Sequence, residues 1–192
     1  IADDGEILCK GPNVMLGYYG DPVLTKEVID EEGWFHTGDI GHIEDGKFLM
    51  VTDRKKEIFK LSNGKFIAPQ IIENIIKESA VIDQVMVVGE HEKFASALIS
   101  PNFRYFDELR LANKISFSGN EEMIALPEIL SVFNAEIEKI NKRLSPPERI
   151  NRFRLVPDEW SPATGELSPT LKLRRHYIAE KYRKLIDQVY MK

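Results

Sequence analysis

Cysteine is almost missing from this chain. Cys9 is the only one in 192 residues, so no intrachain disulfide can form. Its neighbours Glu6-Ile7-Leu8 read as a strand, which makes Cys9 a small apolar strand residue suited to a reducing cytoplasm. No apolar run reaches the roughly 18 residues that a membrane span requires. The first residues, Ile1-Ala2-Asp3-Asp4-Gly5-Glu6, are acidic and lack the apolar stretch of a secretory signal. They also lack an initiator methionine, so the chain is expected to be a piece of a longer polypeptide. His36, His42, His91 and His176 show no metal-ligand spacing, and His91-Glu92 lacks the second histidine of a zinc protease motif. There is no Gly-x-Ser-x-Gly elbow, no Walker loop, no internal repeat and no low-complexity tract.

What is present is a globular balance, 43% hydrophobic and 30% charged. The net charge of −5 is unevenly spread. Residues 1–52 carry 3 basic and 11 acidic side chains, while residues 53–192 carry 23 and 20. This break predicts two units, 1–52 and 53–192. The basic excess of the second is too small and dispersed for nucleic acid.

Turn and helix signals divide the chain into short elements. Asp21-Pro22 predicts a helix start, with aspartate as N-cap and proline at the first position. Asp45-Gly46 between apolar runs predicts a hairpin. Ser62-Asn63-Gly64 predicts a second one. Pro69 opens a helix with Ile71, Ile72, Ile75 and Ile76 on one face. Strands are expected over 81–88, 94–100 and 150–156, and a helix over 103–111 capped by Asn102. Ser116 to Ala125 reads as a polar connector. Ile129, Phe133, Ile137, Ile140 and Leu144 mark a longer amphipathic helix after Pro127. Ser161 to Thr170 reads as an exposed loop, and Ile178, Tyr182, Leu185 and Val189 as one last helix. Short mixed units without regular alternation of strand and helix predict an α+β fold.

Four polar clusters interrupt this pattern. Thr37-Gly38-Asp39 can be a turn whose aspartate caps a backbone N–H, or a carboxylate placed to accept from a vicinal diol. Asp53-Arg54-Lys55-Lys56-Glu57 can be a solvated charge run or a junction. Ser62-Asn63-Gly64 can be a plain turn or a place of close backbone approach to a ligand. Lys172, in Thr164-Gly165-Glu166-Leu167-Ser168-Pro169-Thr170-Leu171-Lys172-Leu173-Arg174-Arg175, can be a surface lysine or a mobile cation for phosphate and carboxylate.

The order and spacing of these clusters resemble the C-terminal end of the adenylate-forming synthetases, and within them the long-chain fatty acid–CoA ligases. The likeness covers nearly the whole chain. It implies a mobile C-terminal domain of mixed sheet and helix, residues 53–192, preceded by the β-rich tail of a large N-terminal domain. It implies that Asp39 and Arg54 bind the ribose of ATP or AMP, that Lys56 is the hinge, and that Lys172 is catalytic. It further implies that Lys60, Ser62, Asn63 and Gly64 line the path of CoA. Here Leu61 is an extra residue and Asn63 stands for the first glycine of the common two-glycine loop, a variant found in the long-chain branch. Many relatives carry Pro-x-Gly-Lys where this chain has Pro169-Thr170-Leu171-Lys172.

ATP, CoA and a long-chain fatty acid are the implied substrates, with Mg2+ held by the large domain and no metal site in this chain. Cytoplasmic placement follows, with peripheral association at the inner face of a membrane for the full-length enzyme. The phosphate loop and acyl tunnel are expected upstream, so this piece should not turn over by itself. A fatty acyl-AMP ligase or carrier-protein ligase is the alternative enzyme. A non-catalytic binding module that kept the fold is the alternative class.

Overall fold

A computed structural model describes residues 1–55, 57–112 and 114–191, with Asp53 described in its backbone alone. The fold is α+β, and the chain divides into two compact units, Ile1–Ile58 and Phe59–Lys192. Among the described residues no helix is long and apolar enough to cross a membrane.

The first unit is an antiparallel sheet of β1 (Glu6–Cys9), β2 (Phe35–Glu44) and β3 (Phe48–Arg54), in that order, with α1 (Pro22–Val28) inserted between β1 and β2. The Asp21 carboxylate accepts the Leu24 N–H at 2.9 Å, which caps α1 as its Asp-Pro start predicts. Asp45 and Gly46 both take positive φ, 50° and 66°, in the turn that joins β2 to β3. That is the backbone that matches the twist of a tight hairpin.

Two irregularities shape this sheet. Between the pairs Glu6–Ile40 and Leu8–His36, β1 holds only Ile7 while β2 holds Thr37, Gly38 and Asp39. The Thr-Gly-Asp segment is therefore a bulge, and Gly38 supplies its positive φ of 73°. A second shift, between Ile40 and Gly41, leaves Thr52 as the extra residue of β3. Gly41 is required beside it, since a Cβ there would lie 2.3 Å from the Met50 carbonyl oxygen. The break in charge composition at residue 53 falls inside β3.

The second unit opens with the small hairpin β4 (Phe59–Lys60) and β5 (Phe66–Ile67), followed by α2 (Pro69–Ile76). Its main sheet is β6 (Ile82–Val88), β7 (Ser96–Pro101) and β8 (Arg152–Leu155), with β7 central. β6 runs antiparallel and β8 parallel to β7. A parallel neighbour needs a crossover. Here α3 (Phe103–Leu111), α4 (Asn120–Ala125) and α5 (Pro127–Asn141) supply it.

Both faces of the sheet are covered, with the period of two that strands impose. Val85, Val87, Ala97 and Ile99 pack with Ile72 and Ile76 of α2 and with Phe106, Phe133 and Ile137 of the crossover helices. Met86 and Leu98 point the other way, onto Trp160, Leu167, Ile178 and Tyr182. Those last residues belong to the segment after β8, which includes α6 (Arg175–Lys181) and α7 (Arg183–Tyr190).

Three expectations from sequence are corrected here. The polar connector 116–125 contains α4, which the Glu122 side chain ties back by accepting the Ser118 N–H at 2.7 Å. Phe117 and Met123 are buried in the core, too few apolar residues to show a helical period. The last helix is two, interrupted at Tyr182 (φ −106°, ψ 20°). The Tyr182 hydroxyl donates to Asp158 at 2.7 Å and accepts from the Trp160 indole at 3.2 Å. The loop 161–170 is not exposed throughout: Glu166 and Leu167 are buried.

Candidate functional site

In the first unit the bulge interrupts the pairing of Asp39 with β1 while keeping it opposite Arg54 on β3. Arg54 Nε donates to Asp39 Oδ1 at 2.7 Å, with the aspartate side chain 28% exposed. A carboxylate so placed is held by one cation and still open to hydroxyl donors. The Asp39 N–H is satisfied locally by Thr37 Oγ1 at 3.1 Å, and Thr37 Oγ1 in turn donates to the Ile7 carbonyl.

Glu6, which the sequence did not mark out, is the hub beneath this bulge. It is 4% exposed. Its Oε1 accepts the Gly38 N–H at 3.0 Å. Its Oε2 contacts His36 Nδ1 and accepts from Lys55 Nζ, each at 2.9 Å. Burial alone would raise its carboxyl, but the contacts from His36, Lys55 and Gly38 outweigh it and hold Glu6 below the usual carboxylate range. Lys55 also reaches Asp4 at 2.6 Å, and the contacts to Asp4 and Glu6 hold its ammonium above the ordinary lysine value. The Lys55 N–H donates to the Gly38 carbonyl at 2.8 Å, so the Gly38 peptide is gripped on both sides. Lys56, the expected hinge, lies outside the described residues.

In the second unit the 61–65 turn is closed by Gly64 N–H to the Leu61 carbonyl and by Lys65 N–H to the Asn63 side chain. Gly64 has φ 86°, which explains glycine there. The turn is tied to the 89–92 loop: Ser62 N–H donates to the Glu92 carbonyl and His91 N–H to the Lys60 carbonyl. Leu61 is buried, while Ser62, Asn63 and Gly64 are exposed. Lys60 lays its ammonium 5.4 Å from the centre of the Phe66 ring.

Lys172 is exposed, in a small loop bounded by the bridge between Leu167 and Leu173. Ser168 closes that loop. Its N–H donates to the Lys172 carbonyl at 2.8 Å, and its hydroxyl accepts the Lys172 N–H at 3.1 Å. Leu171 sits at φ 60°, a left-handed conformation costly for leucine, immediately before the lysine. Among the described residues the Lys172 ammonium makes no ion pair.

Two buried carboxylates flank the loop. Glu166 is fully buried and accepts from Lys181 at 2.6 Å. Burial opposes its charge, yet the Lys181 and Thr164 hydrogen bonds keep it below the usual range. Glu73, 4% exposed, takes both guanidinium nitrogens of Arg175, at 2.8 and 2.6 Å, and accepts the Val87 N–H at 2.7 Å. Sequence reasoning passed over both. A signal existed for Glu73: it lies three residues before Ile76 and four after Pro69, on the apolar face of α2. A carboxylate there needs a partner.

No group of three or more histidine, cysteine, aspartate or glutamate residues capable of holding a metal ion occurs among the described residues.

Known proteins share this architecture. The chain is 35% identical, over its whole length, to a long-chain-fatty-acid–CoA ligase of Mycobacterium tuberculosis, of which it covers 32%. It is 37% identical over 97% of its length to human long-chain-fatty-acid–CoA ligase 1, covering 27% of that protein. The chain thus spans about a third of the curated relatives it matches. Among solved structures, the A domain of a carboxylic acid reductase from Segniliparus rugosus, in complex with AMP and a co-purified carboxylic acid, matches 97% of this chain and 28% of its own, at 25% identity and a TM-score of 0.78. The model of the AMP-binding enzyme C-terminal domain matches residues 56–192, and the chain belongs to that family.

Proposed function

We propose that this chain is the C-terminal part of an AMP-forming long-chain fatty acid–CoA ligase, with residues 53–192 as its mobile domain and 1–52 as the tail of the large one. The observation that carries the reading is Lys172: an exposed ammonium on a loop braced from below, in a chain similar throughout to long-chain ligases. In the first half-reaction a fatty acid carboxylate oxygen attacks the α-phosphorus of ATP and pyrophosphate leaves. Two anions meet there, and Lys172 lowers their repulsion as charge develops. Asp39 and Arg54 hold the ribose hydroxyls. In the second half-reaction the CoA thiolate attacks the acyl carbon and AMP leaves. Rotation about Lys56 withdraws Lys172 and brings Lys60 and the Ser62–Gly64 turn to the thiol path. Mg2+ would accompany ATP, with its ligands expected in the large N-terminal domain. The enzyme is cytoplasmic, with peripheral association at the inner membrane face expected from its apolar substrate.

The test is acyl-CoA and AMP formation by the full-length protein from ATP, CoA and a long-chain fatty acid. Acyl-adenylate that accumulates and is not discharged by CoA would favour a carrier-protein acceptor. The isolated 192-residue chain should show no ATP–pyrophosphate exchange, and acyl-CoA made by it alone overturns the proposal.

A further inference from the structure

The exposed Lys172 has no ion pair to hold it among the described residues, so its position depends on what anchors its loop. Upstream, Glu166 is locked under the loop by Lys181, and its carbonyl accepts the Arg174 N–H at 2.8 Å. Downstream, only Leu173 and Arg174 separate the lysine from Arg175, the first residue of α6. Arg175 meets Glu73 of α2 in a two-pronged bridge, 2.8 and 2.6 Å, with side chains 21% and 5% exposed. The carboxylate is itself pinned, because Glu73 Oε1 also accepts the Val87 N–H of β6. A guanidinium fork on a carboxylate fixes direction as well as distance. The start of α6 is thereby tied to both α2 and the central sheet.

We infer that Arg175 and Glu73 are positioning residues for Lys172: their bridge sets where the lysine ammonium stands when the carboxylate meets the α-phosphate. This rests on the reading of Lys172 as the adenylation lysine. A displacement of about 1 Å at a reacting group can cost on the order of 10²-fold in rate. The bridge therefore matters to adenylation beyond its part in stability. Lysine at 175 keeps the charge but loses the fork.

The experiment uses the full-length enzyme with Arg175→Lys, Arg175→Ala and Lys172→Ala, each assayed for both half-reactions. Adenylation is read by ATP–pyrophosphate exchange, and thioester formation from supplied acyl-adenylate. The expected result for Arg175→Lys is a loss of about tenfold or more in adenylation kcat, with the KM for ATP and the thioester step near normal. Arg175→Ala should lose more in the same step. If Arg175→Ala does not fold, the lysine variant alone decides. Equal loss in both half-reactions, or none in adenylation, while Lys172→Ala still fails in adenylation, overturns the positioning role and leaves the Lys172 reading intact. Normal adenylation by Lys172→Ala overturns that reading and this inference with it.

Discussion

Asp39 and Arg54 face each other as register partners across β2 and β3, joined at 2.7 Å. Both side chains are partly in solvent, so the pair itself is worth only about 0–1 kcal/mol of stability. Its consequence is orientation. Asp39→Asn in the full-length enzyme should leave unfolding free energy within about 1 kcal/mol of wild type. The KM for ATP should rise on the order of 10-fold, the equivalent of one charged hydrogen bond. Titrating ATP in the exchange assay, beside a urea melt, checks both; an unchanged KM removes Asp39 from the ribose site.

Lys172→Ala should lower adenylation by about 10²–10³-fold, as does loss of one donor from a site of developing charge. Given pre-formed acyl-adenylate, the variant should make acyl-CoA at close to the normal rate. Single-turnover measurements of each step separate these outcomes. Depression of both steps together would mark the residue as structural.

Lys56→Pro fixes φ near about −65° and removes a backbone donor at the proposed hinge. One half-reaction should survive and the other fail. Wild-type rates in both would show that the pivot lies elsewhere.

Gly41→Ala and Gly119→Ala form a contrasting pair. At Gly41 the new methyl would meet the Met50 carbonyl and Ile7, whereas at Gly119 nothing lies within 4 Å and φ is −172°. The first should destabilise by about 1–3 kcal/mol. The second should change stability by less than about 0.5 kcal/mol. Denaturant unfolding of both variants measures the difference, and equal effects would contradict the strand register around Gly41.

Stability should fall in acid through Glu166. Its folded carboxyl lies below the usual value, so its contribution is full above the unfolded value, about 4.3, and is lost as pH drops toward the folded one. Lys181 is raised despite burial, through its contact with Glu166. Its contribution holds below about 10.4 and fades as pH rises further. Glu166→Gln should lower the neutral plateau and flatten the acid limb. Urea midpoints followed from about pH 3 to 8 test this, and an acid limb as steep as wild type would exclude Glu166 as its source.

Much of this was legible from residue patterns. Asp21-Pro22, Asp45-Gly46, Asn102 and the Ile129–Leu144 stripe each mark their element because the signal is local: a cap, a positive φ or a single apolar face. The Tyr182 break escaped because long-range contacts decide it, and α4 because Phe117 and Met123 are too few to show a helical period. Tyr182 answers to Asp158 and Trp160, more than twenty residues away in sequence. The prominent polar side chains were easy to single out by exposure and spacing. Glu6, Glu73 and Glu166 were not, since a buried carboxylate is defined by partners that the sequence scatters: Gly38 and Lys55 for the first, Arg175 for the second, Lys181 for the third.

The parallel pairing of β7 with β8 joins Ser96–Ile99 to Arg152–Leu155. Three helices are threaded between them, so the strand cannot dock until that whole stretch has been made and gathered in. Until then the β7 edge of the β6–β7 hairpin has no partner, and both of its faces await later sequence: Phe106 and Phe133 on one, Trp160 and Ile178 on the other. Trp160, Leu167 and Ile178 close the Met86–Leu98 face, from sequence beyond β8. The loop that carries Lys172 is thus among the last parts to settle in a newborn chain, and a ribosome stalled before residue 152 would leave a sticky, unfinished sheet.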